Sequence, residues 1–118
     1  MIRVVNRKNY FSGGEYIGRP SALGNPFSHL DESKAEFRVN SRQEAIDAWS
    51  DWFDAQPLHS EVKREFYRLC DKYIKDGELT LICWCAPLSC HGHVLAKKIQ
   101  DYADEVNAKS KEAFDPFA

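Results

Sequence analysis

The chain has 118 residues, the length of one domain and too short for two, with 43% hydrophobic and 29% charged residues. That composition excludes a disordered tail, and no apolar run approaches the ~20 residues that span a bilayer. A formal net charge of −2 argues against a protein that coats nucleic acid by charge alone. The charge is uneven: residues 1–27 carry four basic residues against one acidic, and residues 28–118 carry twelve against seventeen. A small basic, glycine-containing segment on an acidic protein suits a local anion site better than a long nucleic-acid track. The N-terminus lacks the long apolar stretch of a signal peptide, so a soluble, cytoplasmic protein is expected.

In chain order, Ile2-Arg3-Val4-Val5-Asn6 is rich in β-branched residues and predicts a strand. Residues 9–30 hold four of the six glycines and two of the five prolines, which predicts a long ordered loop with a short strand at Tyr16-Ile17. Phe37-Arg38-Val39 predicts one more short strand. Ser41-Arg42-Gln43-Glu44 is a capping box that opens a helix closed by Pro57, with Ile46, Trp49 and Phe53 on one face. A second helix is expected from Ser60, its apolar face built by Val62, Phe66, Leu69, Cys70, Tyr73 and Ile74, with Gly77 as its C-terminal stop. Leu79-Thr80-Leu81-Ile82-Cys83-Trp84-Cys85 is the strongest strand signal, apolar enough to be buried on both faces and ended by Pro87. A third helix begins at Ser89 or Cys90 and buries Leu95, Ile99, Tyr102, Ala103 and Val106. The order predicts a single α/β domain over 1–106, with at least two parallel strands packed against about three helices, and a C-terminal tail over 107–118. That tail is expected to fray or to dock through Phe114, Pro116 and Phe117.

Two segments carry the residue types of a site. In the loop Tyr16-Ile17-Gly18-Arg19-Pro20-Ser21-Ala22-Leu23-Gly24-Asn25-Pro26-Phe27, glycines let backbone approach a ligand. Arg19 there offers a bidentate fork for phosphate or carboxylate, and Ser21 and Asn25 add neutral hydrogen-bonding groups. The bland alternative is an ordered turn plugged into the core by Leu23 and Phe27. The second segment is the strand-to-helix junction from Cys83 to His93, at the carboxyl end of a strand, where open α/β sheets place ligands. Cys83 and Cys85, two apart, share a face, and Trp84 points the other way. Cys90 and His91 fall at the first turn of a helix, whose amides and dipole favour a thiolate or an anionic ligand. His91 or His93 is placed to pair with that thiolate.

Three readings compete at this junction: zinc held by Cys83, Cys85, Cys90 and His91; a reactive Cys90 thiolate; or two small buried cysteines beside an anion-binding helix terminus. Cys90 is expected to be an acidic thiol, and Cys83 and Cys85 to stay protonated. Trp49, Trp52 and Phe53 fit core better than a base-stacking platform, and Cys70 fits core. No Walker loop, dinucleotide-binding glycine fingerprint, zinc-protease motif or nucleophile elbow is present.

These segments resemble a domain-of-unknown-function family of bacteria and bacteriophages. The matching pieces are Val5-Asn6-Arg7, Tyr16-Ile17-Gly18-Arg19-Pro20-Ser21 through Leu23-Gly24-Asn25-Pro26-Phe27, and Cys83-Trp84-Cys85-Ala86-Pro87 through Cys90-His91-Gly92. The resemblance covers about residues 2–106 and implies a bacterial or phage-encoded cytoplasmic protein, with no established activity. The junction is also similar to that of a second uncharacterised α/β family, in which a strand ends in Cys-Ala-Glu and a helix opens with Cys-His-Arg. Here Cys85-Ala86 and Cys90-His91 match, whereas Pro87 and Gly92 replace the charged residues.

The expectation from sequence is binding of a nucleotide-like or other phosphate-bearing ligand between the 16–27 loop and the Cys90-His91 helix terminus. Arg7, Lys8, Arg19, Ser21, Asn25 and His91 are the candidate ligand-binding residues. Cys90 and His91 are the catalytic candidates if a reaction occurs. No cofactor is called for, with zinc as the alternative. The rival functions are a zinc-stabilised protein-interaction module and, less favoured, a nucleic-acid accessory protein; no membrane partner is expected.

Overall fold

A computed structural model describes residues 1–9, 13–30, 35–86 and 88–113. The elements are β1 (Ile2–Asn6), a 3-10 turn (Arg7–Asn9), β2 (Glu15–Tyr16), β3 (Phe27–Ser28), β4 (Phe37–Arg38), α1 (Arg42–Asp54), α2 (Glu61–Asp76), β5 (Leu79–Cys83) and α3 (His91–Ala113). The most apolar strand takes the centre. β5 lies between β1 and β2 in an all-parallel sheet, with Ile2 opposite Leu79, Asn6 opposite Cys83 and Tyr16 opposite Ile82. The expected parallel pairing of the first strand with Leu79–Cys85 is thus observed, and the architecture is α/β. Phe27–Ser28, read from sequence as loop, instead pairs in parallel with Phe37–Arg38, and the Phe27 and Phe37 rings stack 5.3 Å apart.

The helix termini follow their capping chemistry. Ser41 Oγ accepts the Glu44 N–H at 3.0 Å and Ser60 Oγ accepts the Lys63 N–H at 3.2 Å. α2 stops at Gly77, whose φ of 75° is the left-handed conformation that glycine adopts without a Cβ penalty. At α3 the cap is unusual. Cys90 Sγ accepts the Gly92 N–H at 3.3 Å, while His93 Nδ1 accepts the Cys90 N–H at 3.2 Å. This is a capping box made by a thiol and an imidazole.

α3 packs on β1 and β5, α2 on β5 and α3, and α1 on α3 and β3. The core joins Trp49, Phe53, Phe66, Leu69, Leu81, Leu95 and Ile99 with Ile17 and Leu23 from the glycine loop. Trp49 is fully buried, its Nε1–H donating to Leu23 O at 3.2 Å, which confirms the core reading of that aromatic face. Cys70 is likewise buried, and burial pushes its thiol up to about 12. Glu15 ties β2 to α2 through Arg68 and Lys72, and their hydrogen bonds, Arg68 foremost, hold its carboxyl down at about 2. α3 continues to Ala113, past the expected end of the domain at 106. Phe114, Pro116, Phe117 and Pro87 lie outside the described residues.

Candidate functional site

The two segments singled out in the sequence meet. Both line one cleft of about 560 Å³ at the carboxyl end of β5, with Tyr16, Gly18, Arg19 and Asn25 on one side and Cys83 through Cys85 and Leu88 through His91 on another. Phe27, Ser28, His29 and Leu30, together with Arg42, Ala45 and Ile46 of α1, complete the lining. The volume is that of a small-molecule site.

Each side of the cleft is held by specific bonds. Asn6 at the end of β1 donates from Nδ2 to Trp84 O at 3.0 Å and to Ala86 O at 2.9 Å, fixing the turn that leads to α3. Asn25 pins the glycine loop to α1, with Nδ2 donating to Ala45 O at 3.1 Å and Oδ1 accepting the Phe27 N–H at 2.9 Å. Arg19 Nη1 donates to Asn25 O at 2.6 Å, and Tyr16 Oη donates to Arg19 O at 2.7 Å. Trp84 Nε1–H in turn donates to Tyr16 Oη at 3.0 Å, so the exposed indole is fixed at the rim. Gly24 allows this closure. A Cβ there would fall 2.9 Å from both the N and Cα of Arg19, which are backbone atoms that cannot rotate away. Gly24→Ala is expected to lower stability by ~1–3 kcal/mol, read as a fall in thermal midpoint, and to displace Arg19.

His91 is buried and its Nε2 lies 2.9 Å from Ile17 O, an acceptor, so Nε2 carries the proton. Its ring packs against Trp49 with centroids 5.3 Å apart. Burial, helped by the charge of Arg19, pushes the imidazole down to about 4, against the pull of the Ile17 and Leu23 carbonyls. His91 is therefore neutral at pH 7 and ties α3 to the glycine loop. Because its folded value lies below the unfolded ~6.5, the unfolded chain takes up the proton first as pH falls. Stability present above pH ~6.5 is expected to decline by about 3 kcal/mol towards pH ~4, and His91→Gln should flatten that part of the profile in urea titrations at successive pH values.

Two of the three junction cysteines are in contact. The Cys90 and Cys83 sulfurs are 3.5 Å apart, Cys90 donating, and Cys83 Sγ also accepts the Ala86 N–H at 3.4 Å. Cys90, expected to be the acidic thiol, is instead the donor of the pair. Cys90 is 4% exposed, and its proton is given to the Cys83 sulfur, which together with burial drives its own ionisation up. The same donation, aided by the Ala86 N–H, pulls Cys83 down. Cys83 and Cys90 share one proton, and the Gly92 amide at Cys90 does not decide where the charge sits.

The histidine beside these sulfurs is His93, with Nδ1 3.7 Å from Cys90 Sγ, whereas His91 turns to Ile17. The zinc set weighed as the alternative therefore loses His91, which is engaged by Ile17 O. Among the described residues no group of three or more His, Cys, Asp or Glu is arranged to hold a metal ion. Of the other expected site residues, Arg19 and Asn25 line the cleft, and Arg7, Lys8 and Ser21 are not among its lining residues. Arg7 stacks on the outer face of Tyr16, 5.4 Å from its centroid. The Ser21 hydroxyl is buried with no hydrogen-bond partner among the described residues. Sequence reasoning missed Arg42, Trp84 and His29. The N1 position of Arg42, directly after the Ser41 cap, fixes its helix but not what that helix faces.

A family model described as a domain of unknown function, DUF4326, matches residues 3–101. The chain belongs to the DUF4326 family. No curated protein and no solved structure matches it. The match spans this DUF4326 chain from β1 into α3, so every described residue that lines the cleft lies inside it. No helix among the described residues is long and apolar enough to cross a membrane.

Proposed function

We propose that this DUF4326 domain binds a small phosphate-bearing, nucleotide-like ligand in the cleft between the glycine loop and the N-terminus of α3. One observation carries the reading: two arginines, Arg19 and Arg42, line an otherwise largely apolar cleft in which no carboxylate is found among the described lining residues. An anion entering there meets fixed positive charge and a helix N-terminus without a competing acid. Tyr16, Phe27 and Trp84 add flat faces on which a base can stack, which favours a nucleotide over a bare anion.

In this reading Arg19 and Arg42 bind, and Asn25 and His91 position. The Asn25 carboxamide is already engaged by Phe27 and Ala45, and neutral His91 holds the loop against α3. Isothermal titration with a panel of ribo- and deoxyribonucleoside mono-, di- and triphosphates tests it, with inorganic phosphate as the reference for charge alone. Binding of at least one nucleotide more tightly than phosphate is expected. Heat only from a DNA oligonucleotide would point to the accessory role, and release of zinc on acid denaturation would point to the metal-stabilised module.

A further inference from the structure

We propose that Cys83 and Cys90 form a reversible oxidation site that takes a small hydroperoxide and closes to a disulfide at the floor of the cleft. Their sulfurs lie 3.5 Å apart, and one approaches the other along an existing S–H···S contact. Closing to the ~2 Å of a disulfide needs a shift of ~1.5 Å, well within side-chain motion. Both residues line the cleft, which gives a small oxidant such as hydrogen peroxide a route towards two otherwise buried sulfurs. The local donors also favour reaction. Cys83 Sγ accepts the Ala86 N–H and the Cys90 S–H, so the attacking sulfur is held as an acceptor and the resolving thiol is its own proton source.

The chemistry balances without any other reactant. The Cys83 thiolate attacks one oxygen of the hydroperoxide; the O–O bond breaks, and the leaving alkoxide takes the Cys90 proton to become an alcohol, or water when the oxidant is hydrogen peroxide. Cys83 is then a sulfenic acid. The Cys90 thiolate attacks its sulfur, the S–O bond breaks, and the hydroxide leaves as water with the proton that Cys83 had released on ionising. Two thiols are oxidised and one peroxide is reduced. The product links the end of β5 to the cap of α3. This site stands independently of the nucleotide reading, because it rests on the sulfurs and not on the arginines.

The test treats reduced full-length protein with equimolar hydrogen peroxide, alkylates the remaining thiols, digests without reductant and maps the peptides by mass spectrometry. A Cys83–Cys90 cross-link is expected in the wild type and in Cys85→Ser, reversed by dithiothreitol, with Cys70 left as a free thiol. In Cys90→Ser the reaction should stop at the Cys83 sulfenic acid, trapped by dimedone. The Cys85→Ser protein keeps the test decisive if Cys90→Ser does not fold. Cross-linking of Cys90 to Cys85 instead, or recovery of Cys83 and Cys90 as free thiols under peroxide that oxidises glutathione, overturns the proposal.

Discussion

Replacing Arg19 and Arg42 together by alanine is expected to abolish nucleotide binding while leaving the protein folded. Each guanidinium supplies a charge-assisted hydrogen bond worth ~1.5–3 kcal/mol, so the pair contributes ~3–6 kcal/mol. At 1.4 kcal/mol per decade this is a weakening of roughly a hundredfold to ten-thousandfold. The stability cost is small by comparison. Arg19 is exposed and gives up one bond to Asn25 O, and Arg42 gives up a long contact of 3.4 Å to Ser89 O. Each loss is of the order of 1 kcal/mol. Titration calorimetry reads the first effect and thermal unfolding the second. A double variant that unfolds would mean the two arginines serve the fold, and one that binds as before would mean the ligand sits elsewhere.

The largest effect on stability is expected at Trp49. Truncation to alanine should cost ~3–5 kcal/mol, a large share of the stability of a domain this size. Trp49 has no exposed surface, stacks on Phe53 with centroids 5.2 Å apart, packs on the His91 ring and donates to Leu23 O. Its loss opens a cavity and leaves a loop carbonyl short of a donor where α1, α3 and the glycine loop meet. Trp49→Phe keeps most of the apolar contact and loses the hydrogen bond, so it should fall well short of the alanine cost. Urea unfolding of the two variants separates volume from hydrogen bond. If both cost under about 1 kcal/mol, Trp49 is not the keystone of this core.

What was legible in the sequence was the part written in local chemistry. Ser41, Ser60 and Gly77 mark helix ends because a hydroxyl cap or a left-handed residue acts within one turn of chain. The apolar run Leu79–Cys83 reads as a strand covered on both faces, and all of its side chains but Thr80 are buried. The meeting of the Arg19 loop with the Cys90-His91 terminus was also legible, since both flank strands of one parallel sheet and such sheets collect ligands at the carboxyl ends. The β3–β4 pairing was not, because two-residue strands carry no periodicity. Long-range geometry also hid the roles of His91 and Cys90. A first-turn histidine reads as a ligand-facing group until Ile17 O is found against its Nε2, 74 residues away in sequence. A first-turn cysteine reads as an acidic thiol until the Cys83 sulfur is found accepting its proton. Arg42 and Trp84 gave no signal because cations and aromatics at the surface have no fixed neighbours until the fold closes.

The most direct test of the central claim is a titration of isotope-labelled protein with the nucleotide panel, followed by amide, arginine Nε–H and tryptophan indole resonances. The account predicts that a nucleotide shifts the Arg19 and Arg42 Nε–H signals and the Trp84 indole together, with backbone changes confined to residues 16–30 and 83–93. The fully buried Trp49 indole, bonded to Leu23 O, should move little. Shifts that leave Arg19, Arg42 and Trp84 unmoved for every nucleotide and for inorganic phosphate would contradict a phosphate-bearing ligand in this cleft.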